Sequence, residues 1–248
     1  MTDKLPDQVA LLGDSQALAG LVQRMDLLPQ LLRRQEEEAI AALVDLPSEW
    51  FLNQQQSLLG DRPLDQFLAE KGWQESDLHL HLARPEALNR FARQRFGPGL
   101  EEAFLGAQGG HDQIVYSLLR VRDPSLAQEL WIRLEEEETT FAEAATSFSE
   151  GPEAVRKGVI GPMPIGELQP PELAQLLRAL RPGQLHPPQR LGEWSVLVRL
   201  EQLTPARFDA EMQQFLLQQQ LDRFLSHRVN QRLAGDVPDP LDYHPDQP

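Results

Sequence analysis

The chain has 248 residues, 41% of them hydrophobic and 25% charged, proportions that suit an ordinary globular protein with material for a core. Asp and Glu number 38 against 23 Lys and Arg, a net charge of −15, so the surface repels phosphate backbones and broad electrostatic binding of nucleic acid is excluded. There is no cysteine, which removes disulfides, thiolate metal sites, iron–sulfur clusters and a cysteine nucleophile together.

Residues 1–29 carry Asp3, Asp7, Asp14 and Asp26 among short apolar pairs such as Leu11-Leu12 and Leu27-Leu28. A secretory signal needs a basic start and an unbroken apolar stretch, so the expected location is the cytoplasm. No run approaches the ~18 apolar residues of a membrane span. The periodicity predicts a short acidic helix over Leu31–Leu43, carrying Glu36, Glu37 and Glu38. Pro63–Lys71 reads as a second helix, with proline in its first turn and Gly72 as its stop. A third is expected over Glu86–Phe96, with Leu88, Phe91 and Ala92 on one face. Gly97-Pro98-Gly99 and the glycines from Gly106 to Gly110 are expected to break the chain, which places a boundary near residue 110.

Ile114–Val121 is apolar and β-rich, the pattern of a buried strand. Asp123-Pro124 then opens a helix as cap and first-turn proline. It runs to about Glu137 and buries Leu126, Leu130, Trp131 and Leu134. Thr140 and Glu143 have the spacing of a capping box and start a short helix to about Phe148. Eight prolines fall between Pro152 and Pro188 and five glycines between Gly158 and Gly192, so a breaker-rich loop follows, relieved by one helix from Pro171 to just before Pro182-Gly183. Trp194–Leu200 is the second strand. Thr204-Pro205 is expected to open a last long helix to about Leu233. Its stripe is Phe208, Met212, Phe215, Leu216, Leu221, Phe224, Leu225, Val229 and Leu233. So long a stripe needs an acceptor, and the helical first half is the nearest. From Asp236 on, Pro238, Pro240, Pro245 and Pro248 suggest a disordered tail.

The expected fold class is α+β. A helical domain (1–110) is completed by a C-terminal helix (204–235), a small antiparallel sheet packed by helices (111–203) is inserted between them, and a tail (236–248) follows. Phosphate-cradling loops, dinucleotide fingerprints and nucleophile elbows are missing. His79 and His81 are two apart, so on a helix they point to different faces, and no metal is expected. The run Glu135–Glu138 reads as a solvated helix end set against the helix dipole. No cofactor is expected.

Between about Ile114 and Glu201 the residues resemble the parvulin family of peptidyl-prolyl isomerases. Ser117-Leu118-Leu119-Arg120 stands where the family has a motif like "HILV". Phe141, Ala145 and Ser149 match its "F-x-x-x-A-x-x-x-S" helix. Lys157-Gly158-Val159-Ile160-Gly161 is similar to its "GG-x-LG" loop, and the segment from Gly166 to Leu173 to its lead into the third helix. Arg181-Pro182-Gly183-Gln184-Leu185 resembles its "L-x-P-G-E" turn, and Ser195–Glu201 its last strand. A helical region bracketing such a domain is similar, by architecture alone, to the SurA-type and PrsA-type foldases.

The resemblance implies a prolyl isomerase or foldase whose partners are unfolded or nascent polypeptides with proline-containing segments. It also implies a site. The family's two histidines, whose linked hydrogen bonds organise the floor, fall at Ser117 and Ser195, and a third polar position, often Cys or Asp, falls at Gly151. The apolar pocket for the proline ring falls at Ile160, Met163, Leu168 and Leu173, with plain core packing as the alternative for these four. Serine for both histidines implies weakened catalysis. The alternatives are a peptide-binding chaperone without turnover and an adaptor subunit using the same fold. The acidic charge would steer basic clients.

Overall fold

The computed structural model describes residues 15–244. Asp3, Asp7, Asp14, Leu11-Leu12, Pro245 and Pro248 lie outside the described residues. Five helices come first: α1 (Ser15–Arg24), α2 (Leu28–Leu43), α3 (Ser48–Leu59), α4 (Leu64–Lys71) and α5 (Glu75–Phe96). Then follow α6 (Leu100–His111), β1 (Gln113–Val121), α7 (Pro124–Glu135) and α8 (Phe141–Phe148). A short 3₁₀ helix (Pro152–Arg156) leads to β2 (Val159–Pro164) and α9 (Pro171–Ala179), and β3 (Gln189–Leu191), β4 (Trp194–Thr204) and α10 (Ala210–Ala234) complete the order. The architecture is α+β. The chain divides into two compact units, one made of the residues up to Leu100 and from Ala210 onward, the other Glu101–Asp209. Among the described residues, no helix is long and apolar enough to cross a membrane.

In the helical unit, α10 packs on α2 and α5. Its buried face is Leu216, Leu217, Leu221, Leu225 and Val229, together with Arg228. Arg228 Nε and Arg232 Nη1 donate to the two oxygens of buried Glu36 on α2, at 2.6 and 3.1 Å. The last helix differs from its expected extent. Thr204 still belongs to β4, because the strand keeps its ladder partner Gln113. Phe208 precedes the helix and lies 5.4 Å from the Phe104 ring, while Phe215 and Leu233 are exposed. The third helix also differs: α5 begins at Glu75 and runs through Pro85. One proline removes one helical hydrogen bond, and burial of Leu78, Ala83, Ala87, Phe91 and Ala92 along the helix outweighs that loss.

The glycines Gly106, Gly109 and Gly110 lie inside α6 rather than in a linker. Each costs about 1 kcal/mol of helix propensity, offset by the burial of Phe104, and the tight contact is made by Gly166 rather than by these three. A Cβ at Gly166 would sit 2.8 Å from the Gly110 carbonyl oxygen and 3.2 Å from its Cα. The tail differs too. Asp236–His244 has neither helix nor strand, yet Tyr243 packs against Ala41, Val44 and Ala87.

The second unit is built on an antiparallel sheet of order β2-β1-β4-β3. Its central strands are the two the sequence announces. The outer two lie in the stretch expected to be loop. Gly161 at φ +111 lets β2 pass the Ile114 carbonyl, and the two-residue turn Gly192-Glu193, with Gly192 at φ +61, folds β3 onto β4. The caps form as their chemistry dictates. Asp123 Oδ1 accepts from Ser125 N at 2.8 Å. Glu143 N donates to Thr140 Oγ1 at 3.2 Å while Thr140 N donates to Glu143 Oε2 at 3.0 Å.

Candidate functional site

Side chains alternate across a sheet, and the alternation gives this one two apolar faces. On the first, Tyr116 and Leu118 of β1 and Val196, Val198 and Leu200 of β4 pack with Leu173, Ala174 and Leu177 of α9 and with Ile165 and Leu168. Ile160, Met163, Leu191 and Trp194 lie half-buried against this cluster. On the second face, Leu119, Val121 and Leu197 pack with Ala127 and Leu130 of α7 and Phe141, Ala144 and Ala145 of α8.

All four residues expected to line an apolar pocket therefore meet on the first face. Leu168 and Leu173 are each 4% exposed and belong to the core. Ile160 and Met163, on β2, are a half-buried rim at one edge of this face, Leu191 and Trp194, on β3 and β4, lie towards the other, and the Arg122 guanidinium carbon stands 4.6 Å from the Trp194 ring centroid.

The two serines do not join them. Ser117 stands between Tyr116 and Leu118 and pairs with Arg199, so it faces the second side. Its Oγ donates to Glu201 Oε1 at 2.5 Å, and Arg199 Nε donates to the same oxygen at 2.8 Å. Glu201 is the extra residue of a bulge in β4, since Val115 pairs with Gln202 and Tyr116 with Leu200. Beside Arg199 is a polar cavity of about 920 Å³, lined also by Phe141, Thr140, Glu137 and Leu185. Ser195 pairs with Val121 and shares that second face. It is four residues along β4 from Arg199, about 13 Å at the rise of a strand. By this register Ser117 and Ser195 are four strand positions apart, on the face opposite Ile160, Met163, Leu168 and Leu173. A one-residue slip in a strand reverses the face of every side chain. On the face that holds the rim, the positions beside these serines are Leu118 and Val196.

Gly151 precedes the 3₁₀ helix, and the space for a side chain there is already filled. A Cβ would fall 2.3 and 2.4 Å from the Glu153 carboxylate oxygens and 2.5 Å from Arg120 Nε. Arg120 Nε donates to Glu153 Oε1 at 2.8 Å, and Ser149 Oγ donates to the same oxygen at 2.6 Å. The Glu153 side chain is 1% exposed, and its Oε2 has no hydrogen-bond partner among the described residues. Burial raises the Tyr116 phenol above its ordinary pKa, with Arg120 opposing the shift and Glu153 adding to it. Sequence reading passed over Arg120 and Glu153. The available signal was an arginine inside the run Leu118–Val121, since a charge in a buried strand demands a partner. The two histidines both lie on α5 but in different contacts. His79 stacks on Phe51 with ring centroids 3.6 Å apart, whereas His81 lies 5.0 Å from Trp73.

Chemically, the first face offers an apolar rim, an apolar floor and one ion pair.

Residues 123–202 match the family of the rotamase PPIC-type PPIase domain, a stretch that starts after β1 and ends inside β4. No curated protein matches the chain. Among solved structures, it is similar to the peptidylprolyl isomerase PrsA of Bacillus cereus (16% identity, 94% of this chain and 92% of that one, TM-score 0.47). It is also similar to PrsA of Bacillus anthracis (15%, 85% and 100%, 0.45). A third similarity is to a structure described under the SurA-like chaperones of Campylobacter jejuni (16%, 80% and 88%, 0.37). The family match, not these likenesses, carries the assignment, and it holds for residues 123–202: this stretch of the sheet unit matches the PPIC-type peptidyl-prolyl isomerase domain.

Proposed function

We propose that the chain is a parvulin-like foldase that acts on proline-containing segments of unfolded or nascent polypeptides with weak turnover. Rotation about an Xaa-Pro bond breaks no covalent bond. Its barrier of ~18–20 kcal/mol comes from amide resonance, and an enzyme lowers it by binding the twisted amide better than the planar one. Ile160, Met163, Leu191 and Trp194 offer an apolar surface for a proline ring. The observation that carries the reading is that the core these residues pack against on this face is apolar at Leu118, Val196 and Val198. Ring burial and exclusion of water remain available there, whereas Leu118, Val196 and Val198 themselves supply no hydrogen bond to a rotating amide. The same floor favours a second reading, a chaperone that grips such segments without turning them over.

The test is a protease-coupled proline-isomer assay on the full chain, with peptide binding measured alongside. The expected rate is more than about tenfold below that of a parvulin bearing both histidines, a barrier difference above about 1.4 kcal/mol. A rate inside that margin overturns weakened turnover. An uncatalysed rate with intact peptide binding and aggregation suppression selects the second reading. Failure to bind any unfolded polypeptide sinks both and leaves an adaptor.

A further inference from the structure

After α10 the chain turns back along the helical unit. Gly235, at φ +88, ends the helix, and Asp236 N donates to the Gln231 carbonyl at 2.9 Å. Three contacts then hold the segment. Arg228 spends its Nε on Glu36 and donates Nη1 to the Asp239 carbonyl at 2.7 Å. Tyr243 packs on Ala41 and Val44 of α2's C-terminal end and on Ala87 of α5, beside Leu46 and Leu80. The Gln94 carboxamide pairs with the His244 main chain in both directions: His244 N donates to Gln94 Oε1 at 3.2 Å, and Gln94 Nε2 donates to the His244 carbonyl.

Two of these contacts are to backbone atoms, which any residue offers. A carboxamide that donates to and accepts from one residue's main chain imitates a neighbouring strand, the device by which extended peptides are held without regard to sequence. Selectivity is left to one socket. Its floor is made of the small residues Ala41 and Ala87, 6% and 0% exposed, and the side chain that fills it is aromatic.

We propose that the surface formed by Ala41, Val44, Ala87 and Gln94 is a binding site for an extended polypeptide segment bearing an aromatic residue. The chain's own Asp236–His244 occupies it as an intramolecular competitor. The assignment of the rival ligand to client polypeptides rests on the foldase reading; the site itself does not. A short tether holds the tail at an effective concentration of the order of mM, so the tail excludes weak segments and yields to those that bind more tightly or engage elsewhere on the chain as well.

The test uses the full chain, a fluorescently labelled peptide with the sequence of Asp236–His244, and the variant Tyr243→Ser, whose tail no longer fills the socket. The labelled peptide is expected to bind Tyr243→Ser at least about tenfold more tightly than it binds the wild type. The gain should disappear when Gln94→Ala is added, and a peptide with serine for its tyrosine should bind neither chain. Equal affinity for wild type and Tyr243→Ser, or no binding to Tyr243→Ser, overturns the site and leaves the tail as packing alone. A chain ended after Gly235 serves as the second variant if Tyr243→Ser does not fold, with the same expected gain. Displacement of the labelled peptide by a reduced, carboxymethylated unfolded protein supports a client as the rival ligand, and failure to displace it overturns that part. Neither readout involves isomerisation, so the two proposals fail separately.

Discussion

At the scale of single residues, two positions, one just after α7 and one in the first turn of α8, test the local reasoning. The acidic run does end its helix: α7 stops at Glu135, and Glu137 takes a left-handed conformation at φ +55. A non-glycine residue there costs about 1–2 kcal/mol, and a negative charge at a helix C-terminus opposes the dipole. Glu137→Gly is therefore expected to raise stability by about 1 kcal/mol, read as a higher urea midpoint. A lower midpoint would show that the side chain itself is needed. Glu143 is the counter-case. Hydrogen bonds from the Thr140 backbone and hydroxyl hold its carboxyl below the ordinary value. A carboxyl lowered in the folded state stabilises above its unfolded pKa, and that contribution is lost as pH falls through the folded one. The gap in urea midpoint between wild type and Glu143→Ala should accordingly be widest near neutrality and shrink below about pH 4.3. A gap that persists unchanged into acid would mean that helix propensity, not the charged cap, sets it. Glu143 could be picked from sequence, because a capping box is a local pattern, and Glu137 only as a member of the acidic run. The conformation of Glu137 could not, since the exit angle of α7 depends on where α8 must pack.

At the scale of elements, the strands decide which chemistry is possible. Matching Ser117 to a motif position is a statement about order along the chain, while catalysis depends on face. Leu118 pairs with Val198 and Arg120 with Val196, so Leu118 and Val196 are diagonal neighbours, with Cα atoms about 7–8 Å apart. Two imidazoles can meet across that diagonal. Leu118→His with Val196→His is expected to raise isomerase activity, at a cost in stability for burying two polar rings. Ser117→His with Ser195→His should leave activity unchanged, because both rings enter the opposite face. If the serine pair gained activity and the Leu118 and Val196 pair did not, the assignment of faces would be wrong. The edge strands make the same point. β2 and β3 come from proline- and glycine-rich sequence with no strand periodicity of its own, and they form because β1 and β4 present open ladders beside Gly161 and the Gly192 turn.

At the scale of the molecule, each unit has its own way of closing a chain that leaves and returns. The helical unit joins residues 192 and 196 positions apart through Glu36, Arg228 and Arg232, where Glu36 and Arg228 are 5% and 8% exposed. Removing one partner of a buried ion pair strands the other and costs about 3–5 kcal/mol. Glu36→Ala should lose stability on that scale in urea denaturation followed by far-UV circular dichroism. A loss within about 1 kcal/mol would place the pair in the weak class of exposed bridges. The sequence shows Glu36 only as one member of an acidic run, with nothing to separate it from Glu37 and Glu38. Only the return of α10 buries it.

What the sequence determined by itself is what depends on neighbours along the chain: the absence of cysteine chemistry, the acidic charge, the caps at Asp123 and Thr140, the two apolar strands, and the ordered motifs that place a parvulin-type domain after residue 110. Tertiary structure decided what depends on neighbours in space. It carried α5 through Pro85 and α6 through its glycines, because burial outweighed propensity. It turned Ser117 and Ser195 away from the apolar rim, because the pleat alternates and register is set by partners. It filled the Gly151 space with the Arg120–Glu153 pair and laid the tail on the helical unit. Propensity and capping act over a few residues at about 1 kcal/mol each. Face, burial and ion pairing are settled by contacts between segments, and no local pattern encodes them.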